Sequence, residues 1–175
     1  MERITLKNIK YSEWNSEETN CFQGVIYFDN KRVGFCNNDG RGGNTFCRPY
    51  DYEKDREKFK ELEEYCKSLP PIKYDGLNEL PNFEMESDLE SVVDYLFEQW
   101  LLEKSSKKLI KEFENGIVYG SLRGYQVVQF KIGGKNRKLK DVLQTPQGVK
   151  YVKDFCVDLK SKNQTILNTN LPFEV

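Results

Sequence analysis

The residues best suited to chemistry crowd into one stretch, Cys36-Asn37-Asn38-Asp39-Gly40-Arg41-Gly42-Gly43-Asn44. Asn38-Asp39-Gly40 reads as a tight turn, since Asn, Asp and Gly tolerate the positive φ that other residues resist. Gly42-Gly43 removes two β-carbons in succession, which lets backbone amides converge on an anion or lets another chain approach closely. Arg41 adds a planar fork of donors suited to phosphate or carboxylate, and Arg48 follows a few residues on. Asn38, Asp39, Gly40, Arg41, Gly42, Gly43, Asn44 and Arg48 therefore form a candidate ligand or partner loop. Its spacing is not that of a phosphate loop or a dinucleotide fingerprint, because no Gly-Lys-Ser/Thr ending follows. The competing reading is a long hairpin connection.

Two charged patches of opposite sign come next. Between Asp75 and Glu103 there are nine acids and no Lys or Arg. Such a block can mimic nucleic-acid phosphates or dock on a basic partner, and Glu84, Glu86, Asp88, Asp94 and Glu98 are its candidate surface. The plainer reading is an acidic helix start that complements the macrodipole, with a solvated face beyond. The basic patch is Lys131, Lys135, Arg137, Lys138 and Lys140, with Tyr125 and Phe130 beside it. Together they could hold a phosphate-bearing ligand or single-stranded nucleic acid. Equally, a Lys-rich hairpin tip keeps a sheet edge soluble.

Several chemistries are excluded. The chain has no histidine, so Ser-His-Asp and Cys-His nucleophilic sites, histidine acid–base work and mixed Cys/His zinc sites are out. Carboxylates are plentiful, but none sits in a metal-ligand pattern between apolar strands. The five cysteines, Cys21, Cys36, Cys47, Cys66 and Cys156, contain no Cys-x-x-Cys pair. They read as small buried hydrophobes, not as disulfides or zinc ligands. The expectation is a binding protein and not an enzyme, with no metal and no cofactor. A formal charge of −1 gives no global pull towards nucleic acid or membrane. No apolar run reaches membrane-spanning length and Met1-Glu2-Arg3-Ile4-Thr5 lacks a signal-peptide core, which predicts a cytoplasmic protein with no membrane partner.

The elements that must position these residues follow from periodicity. Ile4–Tyr11 alternates as a half-exposed strand, Ser12 to Asn20 interrupts it, and Cys21–Phe28 and Lys31–Cys36 form a hairpin about Asp29-Asn30. Thr45–Arg48 makes a short fourth strand. Asp51 to Ser68 predicts an amphipathic helix through Phe59, Leu62, Cys66 and Leu69, ended by Pro70-Pro71. Residues 70–86 read as an irregular connection. Ser87-Asp88-Leu89-Glu90 reads as a capping box with Ser87 as the cap, opening a long helix to about Glu114 with a bend at Ser105-Ser106. Ile117–Tyr119 and Val127–Ile132 flank a hairpin turn at Ser121-Leu122-Arg123-Gly124, and Gly133-Gly134 turns again. Thr145-Pro146 starts a final helix, with Thr as cap and Pro in the first turn. The fold class is α+β: an N-terminal antiparallel meander sheet packed by helices, a second small β-hairpin and a C-terminal helix. One domain over 1–175 is expected, with sheet in 1–50, helices in 51–114, and hairpin plus helix in 115–175.

Three segments carry a resemblance: Ile9-Lys10 through Ser16-Glu17-Glu18-Thr19-Asn20-Cys21-Phe22 to the glycine loop, the Ser87-Asp88-Leu89-Glu90 helix start, and the ending Ile166–Phe173. Together they resemble uncharacterised small accessory proteins of tailed bacteriophages. Relatives of this kind carry a histidine shortly after the paired glycines, whereas this chain has none between Asn44 and Arg48. The resemblance implies a setting in the host bacterial cytoplasm. It implies two modes of action: blocking a host defence or nucleic-acid-processing machine by direct contact with a host protein complex, or capturing a small nucleotide such as an immune second messenger. The oligomeric state is left open.

Overall fold

The computed structural model describes residues 1–74, 83–121 and 124–174. It is an α+β protein with two compact units, Met1–Leu101 and Leu102–Val175. No helix among the described residues is long and apolar enough to cross a membrane.

In the first unit, β1 (Ile4–Ser12), β2 (Cys21–Phe28), β3 (Lys31–Asn38) and β4 (Phe46–Pro49) pair antiparallel in chain order, as the alternation predicts. Asp29 and Asn30 both take positive φ, 49° and 61°, the backbone that a two-residue hairpin needs to match strand twist. Alternate residues turn inward: Ile4, Phe22, Ile26, Phe28 and Cys36 are buried. They are covered by α1 (Arg56–Lys67) and the first half of α2 (Leu89–Asn115), through Phe59, Leu62, Cys66, Val92, Val93 and Phe97. Phe22 and Phe97 stack with ring centroids 3.9 Å apart. At the sheet corner, Arg3 clasps Asp29 through two bonds of 2.7 and 2.6 Å. Lys58 of α1 reaches the same carboxylate at 3.1 Å.

Four expectations between Asp51 and Ser106 need correction. Helix α1 begins at Arg56 and not at Asp51, because the Asp51 carboxylate accepts from the amides of Glu53 and Lys54 and holds the chain in a turn. The stretch 70–86 is not wholly irregular: β5 (Ile72–Tyr74) pairs with β6 (Phe83–Met85), two strands too short to leave a period. Gly76, Pro81, Asp75 and Glu79 lie outside the described residues. The cap of α2 is Asp88 and not Ser87. The Asp88 carboxylate accepts from the Ser91 amide at 2.8 Å, and the Ser91 hydroxyl accepts from the Asp88 amide at 2.9 Å. This is the reciprocal capping box shifted by one residue. Ser87 instead donates to the Pro70 carbonyl at 2.7 Å. Helix α2 runs through Ser105-Ser106 without interruption, since good helix formers on both sides outweigh the modest propensity of serine.

In the second unit, β7 (Ile117–Ser121) pairs with β8 (Gly124–Val128), and β9 (Phe130–Ile132) with β10 (Lys135–Arg137). The single run expected over Val127–Ile132 is thus two strands parted at Gln129. Phe130 turns into the core, edge-on to Tyr151 and Phe155. Leu122 and Arg123 of the expected turn lie outside the described residues. Gly133 and Gly134 make the second turn at φ of 61° and 78°. After the short α3 (Leu139–Val142), α4 (Pro146–Ser161) starts as expected, with the Thr145 hydroxyl accepting from the Gly148 amide at 3.0 Å. Ile117, Leu139, Val142, Val152 and Cys156 form this unit's core. The closing segment is tied down by Asn168, which accepts from the Val118 amide at 2.6 Å and donates to the Gly116 carbonyl at 3.1 Å.

The revised cap makes a direct test. Asp88→Ala is expected to lower stability by about 1 kcal/mol, with Ser91→Ala in the same range. Glu90→Ala should stay within about 0.5 kcal/mol of the parent. Urea midpoints separate the two outcomes.

Candidate functional site

The glycine loop is built around one buried carboxamide. Asn38 accepts from the Thr19 hydroxyl at 2.8 Å and from the Gly40 amide at 2.9 Å. It donates to the Gly43 carbonyl at 3.0 Å and to the Thr45 hydroxyl at 3.2 Å. Thr45, also buried, donates in turn to Asp94 on α2. The Gly40 carbonyl takes the amides of Glu17, Glu18 and Thr19. The Arg41 amide turns to Asp39, and the Gly42 amide to Thr19. The amides of Gly40, Arg41 and Gly42 are thus engaged inside the loop. Gly40 and Gly42 sit at φ of 86° and 87°, and a β-carbon on Gly40 would lie 2.2 Å from the Asn15 carbonyl oxygen. Gly43, by contrast, faces open space. Arg41, Asp39 and Asn44 are exposed, and Arg41 has no ion-pair partner among the described residues.

Arg48 belongs to a different surface. With the inner side of the sheet buried, alternation sends every second residue outward, except where bulges in β1 and β3 reset the phase. The register sets them in three rows. One row runs Thr5, Tyr27, Arg32; the next Lys7, Val25, Phe35, Arg48; the last Lys10, Gln23, Asn37, Phe46. Cations lie over rings along this face. The Arg32 guanidinium is 3.5 Å from the Tyr50 ring centre, Arg48 is 4.1 Å from Phe35, and the Lys7 ammonium is 4.3 Å from Tyr27. Phe46 is 61 % exposed and Tyr50 48 %. Although the chain has 28 acidic residues, none falls within the four strands.

The acidic residues do not make one comparable surface. Asp88 is occupied as the α2 cap. Burial pushes the Asp94 carboxyl above its ordinary value, with the Thr45 hydroxyl pulling the other way. Glu98, a turn further on, is also pushed up, by partial burial and by the Asp94 charge. Glu84 and Glu86 are exposed, and Glu84 pairs with Lys73 across the β5–β6 hairpin at 3.1 Å. The basic patch is split as well. Lys135 and Arg137 share a hairpin side with the buried Phe130, while Lys131 and its partner Asn136 take the other. Lys138 lies 4.0 Å from Glu114, and Lys140 is exposed on α3.

All five cysteines are free thiols. Burial pushes the Cys36 and Cys66 thiols up to about 12, which makes them poor nucleophiles and fits their reading as small apolar residues. Among the described residues no group of His, Cys, Asp or Glu could hold a metal ion.

The outer face escaped the reading of motifs because its residues are far apart in sequence. A signal was present, however: Lys7, Tyr27, Arg32, Phe35, Phe46 and Arg48 fall on the polar phase of strands that lack acids.

Two outcomes are expected at this end of the sheet. Gly40→Ala should destabilise the fold by more than about 1 kcal/mol, because it meets both positive φ and a backbone oxygen, whereas Gly43→Ala should stay within about 0.5 kcal/mol. The second concerns pH. Because the folded-state pKa of Asp94 is raised, the native state binds more protons than the unfolded chain between about 3.9 and that raised value. Its contribution to stability therefore falls as pH rises through this window. Asp29 and Glu61, both lowered, act in the opposite sense. Comparison with Asp94→Asn isolates the effect: the parent's stability relative to the variant should decline from acid towards neutral pH in chemical denaturation.

Set against known proteins, the chain matches no family model, no curated protein and no solved structure.

Proposed function

We propose that the protein acts by binding, not turnover, and that its ligand presents nucleobases and phosphates to the outer face of the β1–β4 sheet. The observation that carries this reading is the pairing of cations on acid-free strands with two rings, the half-buried Phe35 and the exposed Tyr50 just past β4. Aromatic faces accept bases of any sequence by stacking, guanidinium planes stack equally well, and cations meet phosphates. Strands free of acid that carry Lys7, Lys10, Arg32 and Arg48 on one face, on a chain with a net charge of −1, favour a polyanion there. In the setting that the phage resemblance implies, such a protein would sequester a nucleotide or strand used by the defence or nucleic-acid machinery of the host bacterium.

The other mode, contact with a host protein through Glu84, Glu86, Asp88, Asp94 and Glu98, has less to rest on. Two of those carboxylates are committed within the fold, Asp88 to the helix cap and Asp94 to Thr45.

Fluorescence titration with nucleoside triphosphates and short single-stranded oligonucleotides tests the reading. Arg48→Ala and Arg32→Ala should each weaken binding by about tenfold through loss of a cation at the rings, with circular dichroism unchanged. Affinity untouched by both substitutions would overturn the assignment of this face.

A further inference from the structure

The outer face carries rings in each of its rows, with Tyr50 standing just beyond the end of β4. Tyr50 beside Arg32, Phe35 beside Arg48, and Phe46 opposite Asn37 fall in three successive rows. On β2 and β4 these rows are two residues apart, about 7 Å along a strand, while a bulge sets Arg32 and Phe35 three residues apart on β3. A free nucleotide has one base and can occupy one such station. Tight capture of a small ligand also needs walls that bury most of its surface. Two cavities of about 270 and 290 Å³ are instead lined by residues between Glu114 and Phe173, with no contribution from this sheet.

Charge sets the limits of the face. Lys7, Lys10, Arg32 and Arg48 lie within it, and the four strands carry no acid. At one end of the sheet acids outnumber the cation: Glu13, Glu17, Glu18 and Asp39 are exposed around the glycine loop beside Arg41. A polyanion is attracted along the rows and repelled at that end, so its footprint ends near Phe46.

Resting on the reading of this face as a nucleobase-binding surface, we propose that its ligand is a single strand of nucleic acid, laid across three stacking stations with about three or four nucleotides in contact. Stacking requires unpaired bases, so duplexes are excluded. Each phosphate neutralised releases counterions, and three or four contacts predict a slope of log affinity against log salt of about −2 to −3.

The test is an anisotropy titration of labelled homopyrimidine DNA and RNA strands of one to about eight nucleotides. Affinity should climb to about four nucleotides and then flatten, with duplex of the same length failing to compete. Phe46→Ala and Phe35→Ala should each weaken the longer strands by roughly tenfold. Phe46 is the cleaner substitution, since its exposed ring takes no part in the core. DNA and RNA bound alike would mean that phosphates and bases suffice, while a preference for RNA would place the ribose hydroxyl on the face; both outcomes support a single strand. Binding that saturates at one nucleotide, or equal competition by duplex, would overturn the strand proposal and leave the broader nucleobase reading standing. Absence of binding to any nucleobase ligand would overturn both.

Discussion

The sheet depends on the chain of hydrogen bonds from Thr19 through Asn38 and Thr45 to Asp94. Asn38 ends β3 and Thr45 immediately precedes β4, so the network fixes where the fourth strand starts and in what register. It also ties that start to α2, which seals the inner face. A buried carboxamide with its donors and acceptors matched stabilises one arrangement and penalises the rest, since any slip leaves polar atoms dry and unpaired. Phe46 and Arg48 reach the outer face only because that register holds.

The same physics explains what was legible in the sequence. The meander, the Asp29-Asn30 turn, the α1 stripe and the Thr145-Pro146 start of α4 all rest on local rules, either a period or a residue with a strong backbone preference. The fold class was visible for that reason. The shifted cap was not, because Ser87 and Asp88 are both good caps and the choice turned on tertiary partners, the Pro70 carbonyl for one and Ser91 for the other. Splitting of the Val127–Ile132 run likewise depended on Phe130 entering a core assembled from distant residues.

The site was harder to read for a related reason. The glycine loop drew attention because its residue types are versatile, yet versatility serves structure as readily as binding. Asn38, Gly40 and Thr45 use theirs inside the loop. Residues of the outer face, in contrast, are ordinary one by one. Only pairing across strands brings Arg48 to Phe35 and Arg32 to Tyr50, and a single sequence holds that pairing only implicitly, in its alternation.

Because β1 to β4 neighbour one another in space in the order they leave the ribosome, every pairing in this sheet closes a short loop. The entropic barrier to each step is correspondingly small. The strands can zip one after another, starting at the tight turn between β2 and β3, without waiting for distant parts of the chain. A sheet of this kind reaches its final pairing quickly, and the edges of its inner strands β2 and β3 are exposed to other chains only briefly on the way.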